Sequence, residues 1–67
     1  MLKTVHINTI YINKKNKKRY IVLGIGLHTE LNELTVRYVP LYSAGYSEFY
    51  RPLDGEVGFR NKFEEFK

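Results

Sequence analysis

The sequence predicts a mostly β fold: a small bent antiparallel sheet or SH3-like barrel of four to five strands, one domain over residues 1–67. Its tail would suit a short C-terminal helix or a closing strand. Three observations point there. β-branched and aromatic residues recur in short runs separated by turn-forming clusters. The alternation within those runs breaks phase, as it does where bulges let short strands turn corners. And a chain of 67 residues with 6 Tyr and 4 Phe can supplement a marginal core with dense aromatic packing.

The elements follow in chain order. "KTVHINTIYI" (3–12) is rich in β-branched residues, but Val5 and Ile7 are out of phase with Ile10 and Ile12. Either a strand bulges near Asn8–Thr9 or it meets apolar groups on both faces. "NKKNKKR" (13–19) reads as a charged hairpin tip. "RYIVLGIGLH" (19–28) is a cleaner strand, with Ile21, Leu23, Ile25 and Leu27 on one face and Tyr20, Val22, Gly24, Gly26 and His28 on the other. Its two glycines mark a bend, a bulge or close backbone approach. "TELNE" (29–33) is a second turn. "LTVRYVPLY" (34–42) is a third strand that Pro40 places at an edge or bulges. "FYRPL" (49–53) is a short fourth strand, and "DG" (54–55) a turn. Aromatics at 59, 63 and 66 have the spacing of a short helix, though a strand would also accommodate them.

Composition narrows the chemistry. With no cysteines there is neither a disulfide nor a thiolate zinc site, and two His offer little else to a metal; no metal or cofactor is expected. The longest apolar run, Ile21–Leu27, is far short of the roughly 20 residues a membrane span needs, and the first ten residues lack a secretory pattern. The chain is expected to be cytoplasmic and not membrane-bound. Ten aromatic rings exceed what so small a core holds, so a homo-oligomer is expected. The net charge of +4 comes from one loop: without Lys14, Lys15, Lys17, Lys18 and Arg19, six basic residues face seven acidic ones, leaving −1.

The run "YIVLGIGLHTELNELTVRYVPLY" followed by "YRPL" resembles a family of small bacterial and phage proteins, domain of unknown function 1653. Its members carry a tyrosine before a "VLG" strand, a His-Ser/Thr-Glu turn, a "VxYxxLY" strand and an "RPL" segment. The positions that match are Tyr20, Leu23, Gly24, His28, Thr29, Glu30, Glu33, Val36, Tyr38, Leu41, Tyr42, Arg51, Pro52 and Leu53, with Arg37 where an apolar residue is usual. The resemblance implies the β fold and groups the His-Thr-Glu, Tyr and Arg-Pro positions. It implies no activity.

Several candidate site residues emerge. On an extended chain His28 and Glu30 point the same way, flanking Thr29, and could touch one ligand; equally, the three could simply open a turn with His28 bonded to backbone. Arg51 offers a planar fork to carboxylate or phosphate, or a surface ion pair to Glu30 or Glu33. Tyr38, Tyr42, Tyr46 and Tyr50 could form a subunit interface, a stacking platform or plain core. Only if strands two and three pair as a hairpin about residues 29–33 can His28, Glu30, Arg37, Tyr38 and Tyr42 cluster, and Arg51 joins them if the fourth strand lies beside the third. No nucleophile, metal set or phosphate-binding Gly loop accompanies them; "GIG" at 24–26 lies mid-strand with no helix after it. The expected function is non-enzymatic: an oligomeric protein that sequesters a phosphorylated, nucleotide-like molecule near subunit interfaces. Phage proteins that sequester immune-signalling nucleotides offer an analogy, and the Asn-, Lys- and Ile-rich composition is compatible with a low-GC phage gene.

Two alternatives stand beside it. One is a nucleic-acid-binding module using Lys14, Lys15, Lys17, Lys18 and Arg19, for which the bland counterpart is a solvated tip that blocks edge pairing. The other is a protein–protein adaptor using exposed tyrosines. The ligand reading expects that changing Lys14, Lys15, Lys17 and Lys18 to Gln does little, whereas Arg51→Ala or Tyr42→Ala abolishes binding.

Overall fold

A computed structural model describes residues 2–43, 45 and 47–67. Five strands, β1 (Ile10–Asn13), β2 (Arg19–His28), β3 (Glu33–Pro40), β4 (Phe49–Pro52) and β5 (Phe63–Glu65), form one antiparallel sheet in the order β4-β3-β2-β1-β5. A single-turn helix, α1 (Phe59–Lys62), leads directly into β5, so the tail is both helix and closing strand. The chain forms the small, mostly β unit that the short alternating runs predict.

The first strand is shorter than the expected 3–12. Asn8 adopts a left-handed φ of 58° and donates its N–H to Val22 O at 2.7 Å, while Val22 N donates to Thr9 O at 3.1 Å. Two consecutive residues thus face one partner, with Asn8 in the role glycine usually takes in such a bulge. Regular pairing starts only at Ile10. Before the bulge the segment is tied down by Leu2 N to Arg60 O (3.0 Å), by buried Val5 and by His6 N to the Tyr11 hydroxyl (2.9 Å).

A second bulge corrects the expected faces of β2. Val22 pairs with Tyr38, but Gly24 pairs with Arg37, so Leu23 has no opposite residue. Because side chains alternate with period 2, skipping one residue exchanges the faces. Ile21 therefore shares a face with Gly24, Gly26 and His28, while Tyr20 and Val22 share the other with Ile25 and Leu27. Pro40 sits beyond the residues of β3 that β4 reaches, at a position open on that side, as its missing N–H requires.

The inner face carries the core: Tyr11, Tyr20, Val22, Val36, Tyr38, Phe59 and Phe63, with Val5. Tyr20 meets Tyr38, Tyr42, Phe49 and Phe63 edge-on, at centroid distances of 5.4 to 6.2 Å. Phe59 stacks on Phe63 at 4.0 Å, and its ring meets Tyr11 edge-on at 5.4 Å. Such ring pairs add about 0.5–1.5 kcal/mol each beyond burial, which compensates for the small apolar core. The edge strands curl toward each other: the Arg51 guanidinium on β4 lies 5.5 Å from the Phe63 ring on β5.

Candidate anion-binding site

The hairpin of β2 and β3 forms as expected, with His28 opposite Glu33 and the turn at 29–32. It does not gather the expected cluster. Register places His28 and Arg37 on the outer face, and Tyr38 and Arg51 on the inner one, because Arg51 pairs with Val36 and Tyr50 with Arg37. Strand β4 does neighbour β3, yet the pleat sends Arg51 to the opposite side of the sheet from Arg37.

Thr29 and Glu30 are turn residues, so the extended-chain geometry that would align Glu30 with His28 does not apply. His28 Nδ1 instead accepts from Leu31 N at 3.3 Å, closing the turn. With Leu27, these three residues line only an open hollow at the tip. Arg37 pairs with Glu48 at 3.1 Å, the two side chains 48% and 36% exposed.

The tyrosines divide as well. Tyr38 is buried, and its hydroxyl accepts from Arg51 Nε at 3.3 Å. Tyr42 and Tyr20 share a hydroxyl–hydroxyl bond of 2.8 Å, and Asn16 Nδ2 donates to Tyr20 at 3.2 Å. The bond to Tyr20, then burial, then the nearby Tyr20 and Tyr38 phenols push the Tyr42 pKa up to about 12. Tyr42 is half-buried and packs against the core. Tyr50 is 65% exposed, on the outer face. Tyr46 lies outside the described residues.

What the fold does bring together is Arg51 and the basic loop. Asn13 opposes Phe63 across β1 and β5, and Lys14 N donates to Lys62 O at 3.0 Å, so the end of α1 abuts the start of the loop. Asn13, Lys14, Lys15, Arg51, Asn61 and Lys62 line one pocket of about 550 Å³. That lies within the roughly 300–1,000 Å³ range of small-molecule sites. Four of the six carry a positive charge, and none is acidic. Sequence reasoning singled out Lys14, Lys15 and Arg51 but missed Asn13, Asn61 and Lys62; no local signal in "FRNKF" announces the pairing of β5 with β1.

Arg51 is held in place by its neighbours. Its Nε binds the Tyr38 hydroxyl, its Nη1 donates to Val57 O at 2.9 Å, and its guanidinium lies near the Phe63 ring. These contacts use two of the five N–H donors an arginine has. Among the described residues Arg51 makes no ion pair. Asn13 Oδ1 accepts from Lys15 N (2.8 Å) and Asn16 N (3.2 Å), which fixes the loop and leaves the carboxamide N–H groups as what Asn13 offers a ligand. Two of the other loop cations are engaged elsewhere: Lys18 Nζ sits 4.4 Å over the Tyr42 ring, and Arg19 Cζ 4.3 Å over Phe66.

A second hollow, of about 360 Å³, lies on the outer face. Gly24 and Gly26 leave its floor bare, and Arg37, Tyr50, Thr35 and His28 bound it. The glycines of "GIG" thus mark open space above a strand. Among the described residues no group of His, Cys, Asp or Glu is placed to hold a metal ion, and no helix is long and apolar enough to cross a membrane.

No protein-family model matches this chain, and no curated protein or solved structure is significantly similar to it. Of the positions singled out in the sequence, Tyr20 and Tyr38 belong to the core with Tyr42 packed against it, Arg51 lines the basic pocket, and His28, Thr29 and Glu30 form the opposite tip.

Proposed function

We propose that this protein is a non-enzymatic binding protein for a phosphorylated, nucleotide-like small molecule, held by its phosphate in the basic pocket. The observation that carries the reading is the convergence of Arg51, Lys14, Lys15 and Lys62 on one pocket with no carboxylate in its lining. A guanidinium anchored by a phenol and a carbonyl can present its remaining N–H groups to a phosphate in a fixed fork, with lysines supplying adaptable point charge. Asn13 and Asn61 add amide groups able to bond a base edge or a ribose hydroxyl. Apart from the lysine amines, the six lining residues include no group for proton transfer or attack, which supports holding over transformation.

Calorimetric titration with nucleoside monophosphates and the matching nucleosides tests this. Nucleotides bind and nucleosides do not. Because Lys14 and Lys15 line the pocket, they are no longer expected to be dispensable: replacing Lys14, Lys15 and Lys62 together by Gln abolishes binding, whereas replacing Lys17, Lys18 and Arg19 by Gln leaves it within a fewfold. Equal affinity for nucleosides would overturn the reading.

The nucleic-acid reading is favoured by one feature: Lys17, Lys18 and Arg19 continue the positive surface beyond the pocket. It expects both triple variants to weaken binding alike, with log K falling by about 0.9 per neutralised phosphate for each decade of salt.

A further inference from the structure

The stretches of edge that the sheet presents among the described residues are not alike. β4 ends in Pro52 and carries Arg51; β5 carries Glu64 and Glu65. Prolines and charges of this kind blunt a strand edge against pairing. The third edge is the distal half of β2. β1 pairs with β2 only at Arg19–Ile21, and the bulge at Asn8–Thr9 reaches only Val22. From Leu23 to His28 no described strand lies on that side, and the stretch "LGIGL" contains neither charge nor proline.

The hydrogen-bonding direction of this edge can be read from its neighbours. Leu34 O accepts from Leu53 N, so Leu34 turns its backbone toward β4 rather than β2. Residues in antiparallel pairs alternate between exchanging both bonds and exchanging none. The pairs Leu27–Leu34 and Ile25–Val36 are therefore non-bonded ones, and the N–H and C=O groups of Ile25 and Leu27 point out of the open edge. Ile25 is 37% and Leu27 57% exposed, each on the inner face.

We infer that this edge pairs with the same edge of a second copy, antiparallel, with Gly26 on the two-fold axis. Ile25 of each copy then lies opposite Leu27 of the other, and both exchange their outward bonds. The register keeps inner faces together, placing two Ile–Leu pairs side by side, and sets Gly26 against Gly26 where no side chain obstructs approach. Charge favours this arrangement. Arg19 lies seven residues from Gly26, about 23 Å at 3.3 Å per residue, so the two basic loops stand roughly 45 Å apart, well beyond a Debye length of about 8 Å. Each acidic tip, with Glu30 and Glu33, is directed toward the basic end of the other copy. The product is a continuous ten-stranded sheet on whose outer face the two glycine-floored hollows adjoin.

The test is sedimentation equilibrium over a dilution series on the wild type, Ile25→Lys and Leu27→Pro, with cysteine cross-linking alongside. The wild type gives about 16 kDa, twice the 8.0 kDa of the chain. Both variants give the monomer mass, because one places charge in the seam and the other removes an outward N–H that β3 does not use. Gly26→Cys forms a disulfide-linked dimer under mild oxidation, since non-bonded antiparallel pairs, with Cα atoms about 4.5 Å apart, suit a disulfide; Gly45→Cys does not. A wild type that stays monomeric throughout would overturn the inference. So would an oligomer that persists in both variants, or a Gly26→Cys chain that cross-links no faster than Gly45→Cys.

Discussion

Gly58→Ala is expected to destabilise this protein out of proportion to one methyl group. A Cβ at Gly58 would fall 2.5 Å from the carbonyl oxygen of Asp54 and 2.7 Å from its Cα, against the roughly 3.5–4.0 Å of an ordinary contact. One of two backbones must therefore move by about an ångström. Gly58 cannot retreat freely: its N–H donates to Gly55 O at 3.0 Å, its carbonyl accepts from Asn61 and Lys62, and Phe59 beside it is completely buried. Asp54 is held by Arg60, through Nε at 2.6 Å and through Nη2. Relief must come from the 54–57 turn, at a cost of about 1–3 kcal/mol for overpacking and about 1 kcal/mol for the strained backbone bond. The exposed ion pair adds little. The expected loss is about 2–4 kcal/mol, against roughly 3–10 kcal/mol for a domain of this size. Val57 O also anchors Arg51, so nucleotide affinity falls in the same variant. Urea denaturation measures the stability, with Gly45→Ala, whose Cβ meets nothing within 4 Å, as the control. A loss below about 0.5 kcal/mol, the range of neutral surface changes, would refute the close-approach argument.

Other perturbations probe the remaining parts. The raised Tyr42 pKa means that the folded state holds that proton more tightly than the unfolded chain does; its contribution is full below pH 10 and lost as pH rises toward about 12. Tyr42→Phe should therefore flatten the decline of stability over that alkaline window in denaturation curves, and an unchanged slope would contradict the assignment. Lys17 adopts a left-handed φ of 62° in the basic loop, so Lys17→Gly should stabilise by up to about 1 kcal/mol while leaving nucleotide affinity intact by calorimetry. Phe59→Ala removes the ring stacked on Phe63 and should cost about 3–5 kcal/mol, read as a lowered urea midpoint by circular dichroism.

The sequence disclosed the strands more readily than their faces. The limits of β2, Arg19 to His28, coincide with an uninterrupted alternating run bounded by charge and turn residues. Nothing in "IVLGIG" says that Leu23 is skipped, however, and one skipped residue reassigns every side chain beyond it. The Asn8–Thr9 bulge was legible because two pairs of β-branched residues stand out of phase around an Asn, which tolerates a left-handed backbone. For the site, Lys14, Lys15 and Arg51 were visible by residue type, and the separation of the basic loop from Arg51 along the chain hid that they share a pocket. Asn61 and Lys62 reach it only through the pairing of Asn13 with Phe63, a long-range register that local spacing does not encode. Tyr42 lies beyond the end of β3, and its contact with Tyr20, 22 residues away along the chain, is one that local spacing does not encode.

The central claim is that the pocket of Asn13, Lys14, Lys15, Arg51, Asn61 and Lys62 binds a phosphorylated ligand. A backbone amide titration by NMR with a nucleoside monophosphate tests it most directly. Saturable shifts confined to residues 13–15, 51 and 61–62, absent with the nucleoside, are the predicted result. Shifts centred on His28, Thr35 and Arg37 at the outer hollow, or none at all, would contradict it.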